Sequence, residues 1–190
     1  VGLAVADGLP VEVVTIADVG EVQGVNTRAH LARSERLMRA RINEGHMAAG
    51  VTFIDPATSY IDGMVVIGQD TVVQPNTHLR GATRVGRDCL LGPNTIMADS
   101  LIGDRCEIVA SVVEGARVED DVHMGPFAHL RAGAHLEQGV HMGNFGEVKN
   151  ARLGARVHMG HMSYIGDADV GAETNIGAGT VTCNYDGVRK

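Results

Sequence analysis

The sequence predicts a parallel β-solenoid of hexapeptide repeats, and three observations predict it. An aliphatic residue recurs every six positions, the residue after it is repeatedly glycine, and the fifth position of the unit is small or β-branched. The aliphatic series starts at Ile67 and runs through Val73, Leu79, Val85, Leu91 and Met97, with a five-residue step to Ile102. It continues through Ile108, Val113, Val118, Met124, Leu130, Leu136, Met142, Val148, Leu153, Met159, Ile165, Val170 and Ile176, with further occasional five-residue steps.

The second and fifth positions test the first, because five-residue steps alone leave room for a forced fit. Gly follows the aliphatic residue at 68, 86, 92, 103, 125, 143, 154, 160, 166, 171 and 177. Thr71, Thr77, Thr83, Cys89, Thr95, Cys106, Val122, Ala128, Ala134 and Val140 occupy the fifth position. A six-residue unit is too short to bury anything alone, so neighbours must stack, with aliphatic ladders inside and glycine supplying special turn dihedrals. Ordinary amphipathic strands have period two and do not explain a period of six. Cys89 and Cys106, at the inward fifth position, read as small core residues and not as reactive thiols.

Composition agrees. The 190 residues include 25 Gly, three Phe, three Tyr and no Trp, too few aromatics for the usual core and ample glycine for tight turns. A net charge of -7 gives no overall support to a nucleic-acid or anionic-membrane surface. Three cysteines without C-x-x-C spacing argue against a disulfide framework or zinc finger and for a reducing, cytoplasmic setting. No apolar run of spanning length and no signal peptide is visible. The chain starts without Met and stops at Val188-Arg189-Lys190 without a closing element, so it reads as an excerpt of a longer protein.

Before the repeats, Val11–Ile16 reads as a short strand and Asp18–Asn26 as a loop. A helix follows, capped by Asn26 or Thr27, with an apolar face of Leu31, Leu37, Met38 and Ile42. Its remaining faces carry Arg28, Arg33, Arg36, Arg39 and Arg41, a solvated basic stripe. Gly45 and Gly50 interrupt the helical pattern, and Asp55-Pro56 marks the connection into the solenoid, with a boundary near residue 50.

Histidine is the main candidate for chemistry. His123, His129, His135, His141 and His158 stand at the sixth repeat position, whereas His161 stands at the third. An imidazole titrates near neutrality, which suits proton removal from an amine about to attack a carbonyl. His123, His141 and His158 lie three repeats apart and should stack along one edge. That admits a rival reading as a zinc site of the kind found in hexapeptide-repeat carbonic anhydrases, although no acidic second shell is evident beside them. Cys183 offers another rival, a covalent acyl carrier, but no activating base is near it except His161 in an earlier coil. A non-enzymatic β-helical scaffold is the third reading.

Four stretches go beyond the repeat: Glu21-Val22-Gln23-Gly24-Val25-Asn26, Gly125-Pro126-Phe127-Ala128-His129-Leu130-Arg131, Gly143-Asn144-Phe145, and Gly160-His161 to Asn184-Tyr185-Asp186-Gly187. Together they resemble the bacterial family of bifunctional N-acetylglucosamine-1-phosphate uridyltransferases and glucosamine-1-phosphate N-acetyltransferases, over essentially the whole chain. The resemblance implies a left-handed β-helix with three hexapeptides per triangular coil. It implies residues 1–26 as the end of a nucleotidyltransferase domain, 27–50 as a linking helix and 51–190 as a C-terminally truncated acetyltransferase domain.

The implied activity is acetyl transfer from acetyl-CoA to the amine of glucosamine 1-phosphate, directly in a ternary complex, within a homotrimer whose sites form between neighbouring solenoids. On matching positions, His161 is the general base. Arg131, Lys149, Tyr164, Asn175 and Lys190 contact the amino-sugar phosphate, and Ala178, Asn184 and Tyr185 contact acetyl-CoA. Asn26 helps bind magnesium, but only together with the missing nucleotidyltransferase domain. Departures are mild, notably Gly146 and Asn150 around Lys149. Beside the resemblance, Arg131 and Lys149 follow Leu130 and Val148, three repeats apart. Their side chains should emerge from adjacent strands about 4.8 Å apart, where two unpaired cations call for a bridging anion such as phosphate.

Overall fold

The computed structural model describes residues 1–188. The chain divides into two compact units, Val1–Met38 and Arg39–Lys190. The first contains a short helix, Gly2–Ala6, a 3-10 turn, Val19–Val22, and the start of the long helix Arg28–Ala48. The strand expected over Val11–Ile16 does not form; the segment is exposed throughout. A strand needs a neighbour to take up its backbone groups, and β-branched composition alone does not supply one.

Of the two candidate caps, Thr27 takes the role: its Oγ1 accepts from the His30 amide at 3.1 Å. The helix runs through Gly45 and ends at Ala48, where Gly50 adopts a left-handed φ of 94° and the Val51 amide returns to His46 O at 3.1 Å. In the second unit, Asn43 clips the last helical turns to the start of the solenoid. It is fully buried, and its Nδ2 donates to Pro56 O at 3.0 Å and Ser59 O at 3.1 Å. Ile42 packs against the solenoid core beside it.

The rest is a parallel β-solenoid of about seven turns. Most repeats contribute a strand of two or three residues whose second residue points inward, as in Val66–Ile67, His78–Arg80 and Arg84–Val85. Pairing is parallel and in register from aliphatic to aliphatic: Ile67 on Val85, Leu79 on Met97, Met97 on Val113, Val113 on Leu130. Three faces result. The first begins at Thr52–Phe53 and the second at Tyr60–Ile61, earlier than the periodicity indicates, while the third begins at Val66–Ile67.

Every aliphatic residue of the series is buried except Val170, which is partly buried and packs against the same core. Each fully buried leucine contributes roughly 1.5–3 kcal/mol through area removed from water. At the fifth position the buried hydroxyls are satisfied by backbone carbonyls, Thr71 on Gly86 O at 2.9 Å and Thr95 on Ile108 O at 3.2 Å. Cys89 and Cys106 do the same with their thiols, on Gly103 O at 3.2 Å and Glu119 O at 3.0 Å. They are core residues, as expected, and the hydrogen bond with Cys89, followed by burial, pushes the Cys106 thiol up.

The reason for glycine at the second position differs from the expected one. Most of these glycines have ordinary dihedrals, and the left-handed residue at each corner is usually Asp, Asn or Arg, with Gly at other corners. What excludes a side chain is the next coil. A Cβ at Gly68 would lie 2.5 Å from the Gly86 carbonyl carbon, and one at Gly86 2.6 Å from that of Gly103. At Gly68, Gly86, Gly103, Gly143 and Gly154 glycine is there because stacked backbones touch, while Gly92 and Gly125 do take the left-handed dihedrals expected.

Candidate active site

The candidate residues gather where the first face turns into the second. In most coils this corner separates two short strands, but His141–Lys149 and His158–Gly166 run through it as continuous nine-residue strands. They pair throughout, placing Asn144 against His161, Glu147 against Tyr164 and Lys149 against Gly166.

His161 is exposed, and its Nδ1 lies 2.9 Å from Asn144 Oδ1. Its backbone is fixed from below by buried Ser163, whose Oγ donates to His161 O at 2.8 Å and lies 3.2 Å from Gly177 O. His161 lines a shallow cleft of about 240 Å³ with His158, Gly160, Asn175, Ile176, Gly177 and Ala178. Three candidates that sequence reasoning assigned to base, sugar and coenzyme thus share one depression.

A second group lies along the second face. Arg131 donates from Nη1 to Glu147 Oε1 at 3.0 Å. The register of Leu130 on Val148 puts Arg131 beside Lys149, as expected, but they are not a pair of unpaired cations. Glu147, which the earlier spacing argument overlooked, already neutralises Arg131, so the charge argument for a bridging anion fails. Tyr164 Oη accepts from Asn184 Nδ2 at 3.4 Å, and that amide also donates to Asp167, which in turn accepts from Asn150 Nδ2 at 2.6 Å. Gly166 makes room for this meeting: a Cβ there would collide with Tyr164 Oη and lie 2.6 Å from Asn184 Nδ2.

Tyr185 is exposed and donates to Gly187 O at 2.8 Å. Lys190 lies outside the described residues. Cys183 is exposed and is not among the residues lining the His161 cleft. Asn26 lines an open depression with Val25, Thr27, Arg28 and Leu31. One neutral amide does not make a magnesium site, and among the described residues no group of three or more His, Cys, Asp or Glu could hold a metal ion.

The zinc reading is not favoured by the geometry of the histidine column. His123, His141 and His158 do stack in successive coils, as expected. His141 and His158 present parallel ring faces to each other, centroids 4.5 Å apart, so their in-plane lone pairs do not converge. An acidic neighbour does exist, contrary to expectation: Glu107 Oε2 lies 3.3 Å from His123 Nδ1. Burial first, then the charges of His158 and His123, lowers the His141 pKa.

Sequence reasoning missed Asn144, Glu147, Ser163 and Asp167. Asn144 could have been found by stepping back one coil from His161, since both stand two residues after an inward methionine.

No protein-family model matches the chain. A bifunctional protein GlmU from Carboxydothermus hydrogenoformans is 50% identical over 183 residues, 96% of this chain and 41% of that protein. The family likeness is to GlmU. GlmU from Thermosipho africanus is 48% identical over 180 residues, and GlmU from Pelobacter propionicus 44% identical over 191, covering 95% and 100% of this chain. The chain spans about two fifths of the length of the GlmU relatives it matches, 40% and 42% for these two. Among solved structures, perosamine N-acetyltransferase from Caulobacter crescentus aligns with a TM-score of 0.43 at 12% identity, over 74% of this chain and 61% of that one. UDP-N-acetylglucosamine acyltransferase from Campylobacter jejuni aligns with a TM-score of 0.35 at 13% identity, over 69% and 64%. Among the described residues no helix is long and apolar enough to cross a membrane.

Proposed function

We propose that this chain carries the acetyltransferase half of a GlmU-type protein, moving an acetyl group from acetyl-CoA to the amine of glucosamine 1-phosphate. The observation that carries the reading is the cleft in which His161, Asn175 and Ala178 meet. His161 takes a proton from the sugar amine, freeing the lone pair to attack the thioester carbonyl; the C–N bond forms, the C–S bond breaks, and the departing thiolate of CoA takes up a proton. Asn175, Tyr164, Arg131, Lys149 and Lys190 hold the sugar phosphate, with Arg131 oriented by Glu147. Ala178, Asn184 and Tyr185 meet the coenzyme.

The uridyltransferase half, with Asn26 contributing to its magnesium site, belongs to the longer protein. A homotrimer with sites between solenoids completes the proposal, in the cytoplasm. An apolar ridge supports it. Phe127, Phe145 and Met162 are exposed on the corner that carries Asn144 and His161, with the two phenyl rings stacked at 5.6 Å. All three adopt left-handed backbone, which bulky side chains rarely do, and together they hold out an apolar surface of the kind that an assembly partner covers.

The deciding experiment is His161→Ala in the intact protein, assayed by thiol release from acetyl-CoA with glucosamine 1-phosphate as acceptor. The expected result is a loss of roughly 10²-fold to 10⁴-fold in kcat with assembly unchanged. Near-normal turnover by the folded variant would remove His161 as the base.

A further inference from the structure

We infer that Asn144 is a positioning residue that sets the tautomer of His161, keeping its proton on Nδ1 and leaving Nε2 as the basic nitrogen. The inference rests on the proposed role of His161 as base. Three features of the fold lead to it.

The first is the contact itself. Asn144 Oδ1 lies 2.9 Å from His161 Nδ1, a full-strength hydrogen-bond distance, and a carboxamide oxygen can only accept. The partner nitrogen must therefore carry the hydrogen, and a neutral imidazole has only one to place. Nothing else about a surface histidine forces that choice.

The second is how the contact is held. Asn144 and His161 are register partners in adjacent coils, each two residues beyond a fully buried methionine, Met142 and Met159. The long parallel pairing extends on both sides of them, from His141 on His158 to Lys149 on Gly166. Ser163, two residues further along the same strand, donates to the carbonyl of His161 and also reaches Gly177 O in the next coil. Both side chains thus spring from backbone that is fixed relative to one another, so the hydrogen bond orders the ring at little further entropy cost.

The third is the chemistry of the partner. A histidine oriented by a carboxylate is biased toward imidazolium, which cannot accept a proton until it has lost one. A neutral amide selects the tautomer without that bias. Asn at this position suits a base that must be unprotonated when the amine arrives. Within the cleft the other titratable lining residue is His158, which lies three residues earlier on the same strand with its ring stacked on His141.

The test uses the intact protein labelled with ¹⁵N-histidine, the His161 signals being identified by their absence in His161→Ala. In the wild type, Nδ1 should report as protonated and Nε2 as the bare, pyridine-like nitrogen. Asn144→Ala should move His161 toward the Nε2-protonated tautomer that free imidazole side chains prefer. It should also lower kcat by at least about tenfold, short of the loss expected for removing the base, with little change in KM. Asn144→Asp restores the acceptor; the Nδ1-protonated form should return and the plateau rate recover, with the acid limb of the pH–rate profile displaced to higher pH. A wild-type His161 protonated on Nε2, or an Asn144→Ala variant with unchanged tautomer, would overturn the inference whatever its activity. If the tautomer shifts as described but His161→Ala remains active, the base assignment fails and the structural role of Asn144 stands.

Discussion

His141 and His158 stack their imidazoles face to face, with centroids 4.5 Å apart and planes 7° from parallel, and His123 continues the column one coil below. Burial and these neighbours lower the His141 pKa beneath its unfolded value near 6.5. Well above pH 6.5 it is uncharged in both states and costs nothing. As pH falls below about 6.5 the unfolded chain takes up a proton that the folded chain resists, so stability declines until the folded pKa is passed. Urea midpoints at pH 7.5 and 5.5 should therefore drop further on acidification in the wild type than in His141→Asn. Equal drops in the two would show that the column has no part in acid sensitivity.

The two kinds of glycine should respond oppositely to alanine. A Cβ at Gly143 runs into the backbone oxygen of Gly160, and neither can yield without parting the coils. Gly143→Ala should cost about 1–3 kcal/mol or more. Gly45, inside the helix with open space around it, should gain roughly 0.5–1 kcal/mol on the same change. Denaturant titration reads both, and a neutral Gly143→Ala would refute the close-approach explanation of the repeat.

Gly166 tests the site rather than the fold. Its missing Cβ is where Tyr164 Oη and Asn184 Nδ2 lie. Gly166→Ala should leave the melting temperature within a few degrees of wild type while lowering kcat/KM by about tenfold or more, because side-chain ends can swing away where backbone cannot. Activity untouched by the substitution would detach Tyr164 and Asn184 from catalysis.

Arg131 and Lys149 are proposed phosphate ligands. Arg131→Ala and Lys149→Ala should each narrow the preference for glucosamine 1-phosphate over glucosamine, with smaller effects on acetyl-CoA affinity. Glu147→Gln, which loosens Arg131 without removing it, should do the same more weakly. Comparing kcat/KM for the two acceptors decides the matter: equal losses on both would rule out phosphate recognition.

The ridge of Phe127, Phe145 and Met162 is proposed to lie within the assembly. Phe145→Asp should convert trimers to smaller species in sedimentation experiments at micromolar concentration while circular dichroism keeps its β-sheet form. A trimer that persists in this variant would place the interface elsewhere.

The fold was legible because burial in a solenoid is set by local spacing. Ile67 to Ile176 could be read as one ladder without knowing what pairs with what, and the small or β-branched residues at the fifth position, from Thr71 to Val140, agree with that register. Val11–Ile16 misled because strand formation depends on a partner that spacing does not reveal. At the site, residues on one strand were legible, but Glu147 beside Arg131 and Asp167 beside Asn184 depend on side-chain reach across coils, where long flexible groups choose among several neighbours. The role of Gly68 and its equivalents was misjudged because dihedral freedom and close approach select the same residue.

The five-residue steps have a consequence for how such a chain can change over time. At Met97 to Ile102, Val113 to Val118, Val148 to Leu153 and Ile165 to Val170 the shortened unit falls between the second and third faces, at Ile108 to Val113 it falls between the first and second, and the inward ladder passes through undisturbed. In an ordinary sheet, a one-residue slip turns every following side chain inside out. Here a deletion is absorbed at the bend where it occurs and the next strand starts in phase. The bends act as frame-restoring joints, so this protein can accept single-codon losses at them, whereas the two coils whose first corner is spanned by His141–Lys149 and His158–Gly166 cannot lose a residue there without breaking the strand.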